Sequence, residues 1–343
     1  VLVHKEIRGE TMTQEEIVIK KCYTCIFDME MPFANLTEQV IGDGDEQQQY
    51  MTQLILKNIN STALRKSVID ENSVLMQLFP ENEEQFEPFA NQIADEIHTL
   101  IQEKSTDIPM GSGVFLWAFC EDRDYICFFK LNYQNKFVDM IDNNGQEKWV
   151  LNTKVIPTIG QKITELFFID LQDRTVQISN AKHYVENEKS NYLAELILQL
   201  SLQHSEEEMV KVYQEAVVDT IQEIYEEEAP QKIMDYKKAV AETVTKTGEL
   251  NIEEVQKEIF GEDEKAIALC TEKIEEKAVP VKSIEVSEKM EKKLLKKQKI
   301  VTNNGIEILV PIDYLKDESI FEYHQYEDGS ISILIKDGVK KLL

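Results

Sequence analysis

The chain has 343 residues, 64 Asp and Glu against 37 Lys and Arg, a formal net charge of −27, and 42% hydrophobic residues. That length suggests two domains or one large domain with an appendage, and the ordinary apolar content supports a sizeable core rather than disorder. The acidity repels polyanions at long range, which excludes a global electrostatic pull toward DNA and leaves nucleic-acid contact to a local basic patch or a partner.

No run of 18 apolar residues is present, which excludes a transmembrane helix, and no charged segment leads an apolar stretch, so no signal peptide is visible. The five cysteines, Cys22, Cys25, Cys120, Cys127 and Cys270, are odd in number and sparse. They predict a reduced, cytosolic protein rather than a disulfide scaffold.

In chain order, residues 15–28 are β-branched and aromatic-rich and predict a strand. A polar loop with Gly42 and Gly44 follows. Tyr50, Met51, Leu54 and Ile55 recur at helical spacing over Gln47 to Asn60. A second helix runs from Glu83 to Glu103, with Phe86, Phe89, Ile93, Ile97, Leu100 and Ile101 on one stripe and Pro88 tolerated in its first turns. Gly113–Phe119, Tyr125–Tyr133 and Phe137–Ile141 then read as strands, the first two broken by a charged turn at 121–124. Phe167–Leu171 and Thr175–Ser179 form a further pair about Gln172-Asp173-Arg174. Together these predict an antiparallel sheet with packed helices, an α+β domain over 1–185.

Residues 186–229 hold twelve acidic side chains against two lysines and no glycine, with Pro230 as a stop. Ser205-Glu206-Glu207-Glu208 fits a capping box. The stripe Met209, Val212, Tyr213, Ala216, Val217, Ile221, Ile224 and Tyr225 makes a long helix. Further helices are expected over 232–246, ended by Gly248, over 251–260, closed by Gly261, and over 263–277. An acidic helical subdomain over 186–280 follows from them. The last stretch, 281–343, reads as a basic helix plus two β-hairpins. Their turns are Asn303-Asn304-Gly305 and Asp328-Gly329, where Asn-Gly and Asp-Gly supply positive φ.

Catalytic and metal patterns are weak. Cys22 and Cys25 form a CxxC, but inside a strand the two thiols point to opposite faces of the pleat, so a redox pair is not expected. A zinc site with Cys120 and Cys127 would need a ligand spacing that is not standard. His4, His98, His183, His204 and His324 are scattered, with no HxxxH or HExxH. No GxSxG, Walker or GxGxxG pattern occurs, and Met110-Gly-Ser-Gly113 precedes a strand rather than a helix N-terminus. Gly42-Asp43-Gly44-Asp45-Glu46 fails as a calcium loop, because Gln47 and Gln48 stand where a ligand and a glycine are required. Triplets such as Asp263-Glu264-Lys265 and Glu275-Glu276-Lys277 are common in a chain this charged. No catalytic constellation, metal or cofactor is expected.

One feature stands out. Residues 282–299 carry seven lysines against three glutamates, a local +4 in a chain of −27. Ser287 can cap a helix whose Met290 and Leu294 face the core, leaving Lys289, Lys292, Lys293, Lys296 and Lys297 outward, with Lys299 close behind. Such lysines neutralise phosphates without reading sequence, and the absence of arginine argues against base-specific readout. The competing reading is a solvated face, or an internal dock for the acidic helices.

The chain as a whole resembles the bacterial nucleoid-associated proteins of the NdpA/YejK type, in the form typical of low-GC Gram-positive bacteria. The likeness rests on Gly113-Val-Phe-Leu-Trp-Ala-Phe119, Ile126-Cys-Phe-Phe-Lys-Leu-Asn-Tyr133, Phe167-Phe-Ile-Asp-Leu171, Asn304-Gly-Ile-Glu-Ile-Leu-Val-Pro311 and Asp328-Gly-Ser-Ile-Ser-Ile333. The resemblance implies a cytoplasmic protein of the nucleoid, with no established enzymatic activity and no defined functional residues. The expectation is a non-enzymatic protein touching double-stranded DNA without sequence preference through Lys289, Lys292, Lys293, Lys296, Lys297 and Lys299, with no membrane contact, and the reading admits a homodimer. The alternative is an acidic, DNA-mimicking adaptor for a DNA-bound protein.

Overall fold

The computed structural model describes residues 16–40, 42, 44–70, 74–104, 107–141, 143–295, 297–301, 305–311, 314, 319–326 and 331–336. The fold is α+β, and the chain divides into two compact units, Val1–Gln203 and His204–Leu343.

The first unit runs β1 (Ile17–Phe27), β2 (Thr37–Glu38), α1 (Glu46–Asn58), β3 (Arg65–Val68), α2 (Val74–Gln77), α3 (Phe86–Glu103), β4 (Gly111–Cys120), β5 (Arg123–Asn132), β6 (Gln134–Ile141), β7 (Glu147–Val155), β8 (Leu166–Asp170), β9 (Thr175–Ser179), β10 (His183–Val185) and β11 (Glu188–Ser190). Seven of these strands form one antiparallel sheet in the order β2-β1-β4-β5-β8-β9-β3. Alternation along the strands sends large apolar residues to both faces, so helices cover both. On one face Phe115, Trp117, Phe128, Phe167 and Ile169 pack with the buried stripe of α3, which contains all six positions expected from its spacing. On the other, Leu116, Cys127, Phe129 and Phe168 pack with Met51, Leu54 and Ile55 of α1.

A register shift in β1 between Ile19 and Lys21 explains an apparent anomaly. Ile17 and Cys22 lie in the α1-side core while Tyr23 and Cys25 lie in the α3-side core. The extra residue of a bulge inverts the parity of the strand on its two sides. Gly113 of β4 meets this strand closely: a Cβ there would lie 2.6 Å from the Cys25 sulfur and 2.8 Å from the Phe27 ring.

The structure corrects two expectations for this unit. The β4–β5 turn is only Glu121-Asp122, both at positive φ (48° and 62°), and β5 begins at Arg123. Segment 137–141 does not join the main sheet. It belongs to β6, which pairs with β7 in a two-stranded sheet with exposed side chains on both faces and none fully buried. The two compact units meet at 203/204, and Tyr192, Leu193, Ala194, Ile197 and Leu198 lie in the α3-side core.

The second unit runs α4 (Glu206–Tyr225), α5 (Ala229–Thr247), β12 (Glu249–Asn251), α6 (Ile252–Phe260), α7 (Glu264–Glu275), β13 (Ser283–Glu285), α8 (Glu288–Leu294), β14 (Lys297–Val301), β15 (Glu307–Pro311), β16 (Phe321–Gln325) and β17 (Ile331–Ile335). The capping box is formed: Glu208 N donates to Ser205 Oγ at 3.2 Å and Ser205 N donates to Glu208 Oε2 at 2.9 Å. Pro230 opens α5 rather than only stopping α4, in the first turn where its missing N–H costs nothing. Gly248 (φ 71°) closes α5 in the left-handed conformation expected of it. Tyr213, Val217, Ile221, Val244, Val255 and Ile274 build the core.

The hairpins β14–β15 and β16–β17 are present as antiparallel pairs. Asn303, Asn304, Asp328 and Gly329 lie outside the described residues, and Gly305 has φ 81°.

Among the described residues, no helix is long and apolar enough to cross a membrane.

Candidate nucleic-acid interface

The lysine run lies on two elements. Ser287 caps α8, its Oγ accepting from Met290 N at 3.3 Å, and Met290 is buried against the helical core. Leu294 packs there too. With that edge inward, Lys289, Lys292 and Lys293 are exposed, as the spacing expected. The helix then ends at Leu294, and this corrects the expectation that Lys297 continues it: Lys297 opens strand β14, opposite Pro311, and Lys299 lies in the same strand, opposite Leu309, where a strand was expected. The β-branched Ile300-Val301 pair and the ladder to β15 favour extension there. Lys296 lies outside the described residues.

The electrostatics of α8 are mixed. Lys292 Nζ lies 3.8 Å from Glu288 Oε2, an i,i+4 pair of small worth on an exposed face. Lys293 pairs with Glu207 of α4. Beside it, Ser287 Oγ donates to Glu206 Oε2 at 2.8 Å. The first turn of the acidic helix therefore holds both the cap and the last turn of α8. Lys289 is held below the ordinary lysine value, first by partial burial and then by the Lys293 charge. An open depression beside α8 is lined by Glu288, Glu291, Lys292 and Leu295.

Other singled-out positions serve the fold. Asp45 caps α1, accepting from Gln48 N at 2.6 Å, and Asp263 caps α7, accepting from Ala266 N at 3.1 Å. Cys22 and Cys25 are buried in separate cores on the two faces of the sheet, and all five thiols are free. Burial pushes Cys22, Cys25 and Cys120 up to about 12. Among the described residues, no three His, Cys, Asp or Glu side chains are grouped to hold a metal ion. His98 Nε2 is 2.9 Å from Met31 O, and His204 Nε2 is 2.8 Å from Lys277 O. His324 is exposed beside Glu322, and His4 lies outside the described residues.

A buried charged cluster in the first unit has no counterpart in the sequence reading. Lys130 Nζ lies 3.3 Å from Glu165 Oε2 and donates to Pro109 O at 2.7 Å. Glu165 also accepts from Asn132 Nδ2 at 2.8 Å and from Tyr192 Oη at 2.5 Å. His183 stands between Glu165 and Asp107, 3.6 Å from an oxygen of each. Burial lowers the Lys130 pKa, while the Glu165 charge acts in the opposite sense. The cluster ties β5, the start of β8 and the segment after β11 together. The signal available in the sequence was a lysine inside the apolar run Ile126–Tyr133.

The chain matches the family model described as nucleoid-associated protein YejK over residues 26–343. A comparison with curated proteins finds no match.

Proposed function

We propose, from the premise that the chain belongs to the nucleoid-associated protein YejK family, that it acts at the nucleoid by touching double-stranded DNA without sequence preference. The contact surface of this reading is α8 and the segment that follows, with Lys289, Lys292, Lys293, Lys296, Lys297 and Lys299 as phosphate contacts. One observation carries it: with Met290 turned into the core, α8 holds Lys289, Lys292 and Lys293 in solvent, in a chain whose overall field is strongly negative. A lysine ammonium is a point charge suited to phosphate, and no arginine fork is present for bidentate base recognition. This is a binding protein rather than an enzyme in the reading.

The test is duplex binding by the full chain across a salt series. Changing Lys292, Lys293, Lys296 and Lys297 together to Gln is expected to remove binding and flatten its salt dependence. Binding that survives the change with the same salt slope would overturn the assignment to these lysines.

The pairing of Lys293 with Glu207, and of Ser287 with Glu206, favours a second reading. Part of the basic charge is then internal, and the acidic helices form the working surface of an adaptor for a DNA-bound protein. Reversing exposed Glu215, Asp219 and Glu223 of α4 to Lys in the full chain separates the two. A DNA-contacting protein gains affinity for DNA, whereas an adaptor loses its crosslinks to nucleoid proteins.

A further inference from the structure

The β6–β7 ribbon is built differently from the rest of the first unit. It forms a two-stranded sheet of its own, and its longest apolar side chains stand in solvent: Phe137 is 67% exposed, Ile141 70%, Trp149 77% and Leu151 47%. A two-stranded hairpin is marginally stable alone, and a soluble protein seldom leaves this much contiguous apolar surface uncovered.

The register sorts its side chains by charge. Phe137 is opposite Leu151, Asp139 opposite Trp149 and Ile141 opposite Glu147, so one face is apolar with two acids. Lys136 is opposite Asn152, Val138 opposite Val150 and Met140 opposite Lys148, so the other face is apolar with two lysines. Each face carries the charge complement of the other. Over 134–155 the sequence holds three acids and three lysines, a neutral stretch in a chain of −27.

We propose that the β6–β7 ribbon is a self-association element, on which the ribbon of a second copy stacks with its lysine-bearing face against the acid-bearing face of the first. The occupant is a second copy because the ribbon itself supplies both halves of the charge pattern, and because local neutrality lets two strongly negative chains meet there. Neutrality also gives polyanionic DNA no net attraction to this surface. A contact between unlike faces is heterologous, so each pair leaves one face of either kind free and the assembly extends beyond two copies.

The experiment is sedimentation velocity on the full chain over a concentration series, with circular dichroism to show that each variant is folded. The wild type is expected to grow in size with concentration. Lys136→Glu with Lys148→Glu makes both faces acidic, and Asp139→Lys with Glu147→Lys makes both basic. Each variant alone is expected to associate about tenfold or more weakly, and an equimolar mixture of the two to recover association. The basic variant is the sharper arm, since its net charge is smaller and simple relief of repulsion would make it associate more strongly than wild type. That result, a wild type that stays monomeric throughout, or a mixture that fails to recover overturns the proposal. So does a monomeric wild type whose DNA binding is lost on Lys136→Glu with Lys148→Glu, which would assign the ribbon to nucleic acid.

Discussion

Lys130 and Glu165 form an ion pair in which neither side chain has exposed surface, with Nζ 3.3 Å from Oε2. The pair survives burial because each ion is also hydrogen-bonded: the ammonium to Pro109 O and the carboxylate to Tyr192 and Asn132. Desolvation of two ions consumes most of what their attraction returns, so the pair locates the segment around Tyr192 more than it stabilises the fold.

Removing one partner has a different consequence from removing both. Lys130→Met or Glu165→Gln alone leaves an uncompensated polar group in the core and is expected to cost about 3–5 kcal/mol. The double variant is expected to cost clearly less than the sum, because the two sites share one interaction. Urea unfolding followed by tryptophan fluorescence checks this, since Trp117 and Trp149 both lie in the first unit.

Glu207 pairs with Lys293, so under the proposed DNA contact it would compete with phosphate for that lysine. Glu207→Gln is expected to strengthen duplex binding and to steepen the dependence of log K on log salt by about one, the increment for one added phosphate contact. Fluorescence anisotropy across salt measures both. An unchanged slope would mean that Lys293 does not reach DNA.

The thiols are predicted to be inert in the native protein. Burial holds Cys22, Cys25 and Cys120 up near 12 and Cys127 well above its ordinary value, so almost no thiolate is present at pH 8. Titration with an aromatic disulfide reagent should find less than one reactive thiol within minutes in buffer and all five in denaturant. Rapid native reaction of Cys22 or Cys25 would contradict their placement in the two cores.

Asp28 is hydrogen-bonded by Lys154 at 2.5 Å, and this bond holds its carboxyl below the ordinary 3.8. The folded state therefore binds this proton less readily than the unfolded state. The resulting stabilisation is complete above about pH 4 and is lost as pH falls through the lowered value. Lys154→Met is expected to raise the Asp28 titration midpoint, read by NMR on the carboxyl carbon, and to weaken the acid dependence of stability. A midpoint that does not move would show that the lysine is not what depresses it.

Residue pattern alone was enough for much of the fold. The six-residue stripe from Phe86 to Ile101 specifies which side of α3 is buried, because helical period and burial coincide there. Ser205 with Glu208 marks the start of α4, and Gly248 the end of α5, since both act through bonds to near neighbours in the chain. Met290 inward with Lys289, Lys292 and Lys293 outward is likewise local information.

Tertiary structure decided what depends on residues far apart in sequence. The pattern of 137–141 suits a strand but cannot say which strand it pairs with, and only the register with β7 reveals a ribbon with one acidic and one basic face. The acidic run after 186 says nothing of which core its apolar residues enter; the fold places Tyr192 in the α3-side core, with its hydroxyl on Glu165. Likewise, the lysines of α8 read as a free basic surface until Glu207, 86 residues earlier, is placed against Lys293. Charge along a chain counts ions, whereas the folded arrangement determines which of them remain available to a partner.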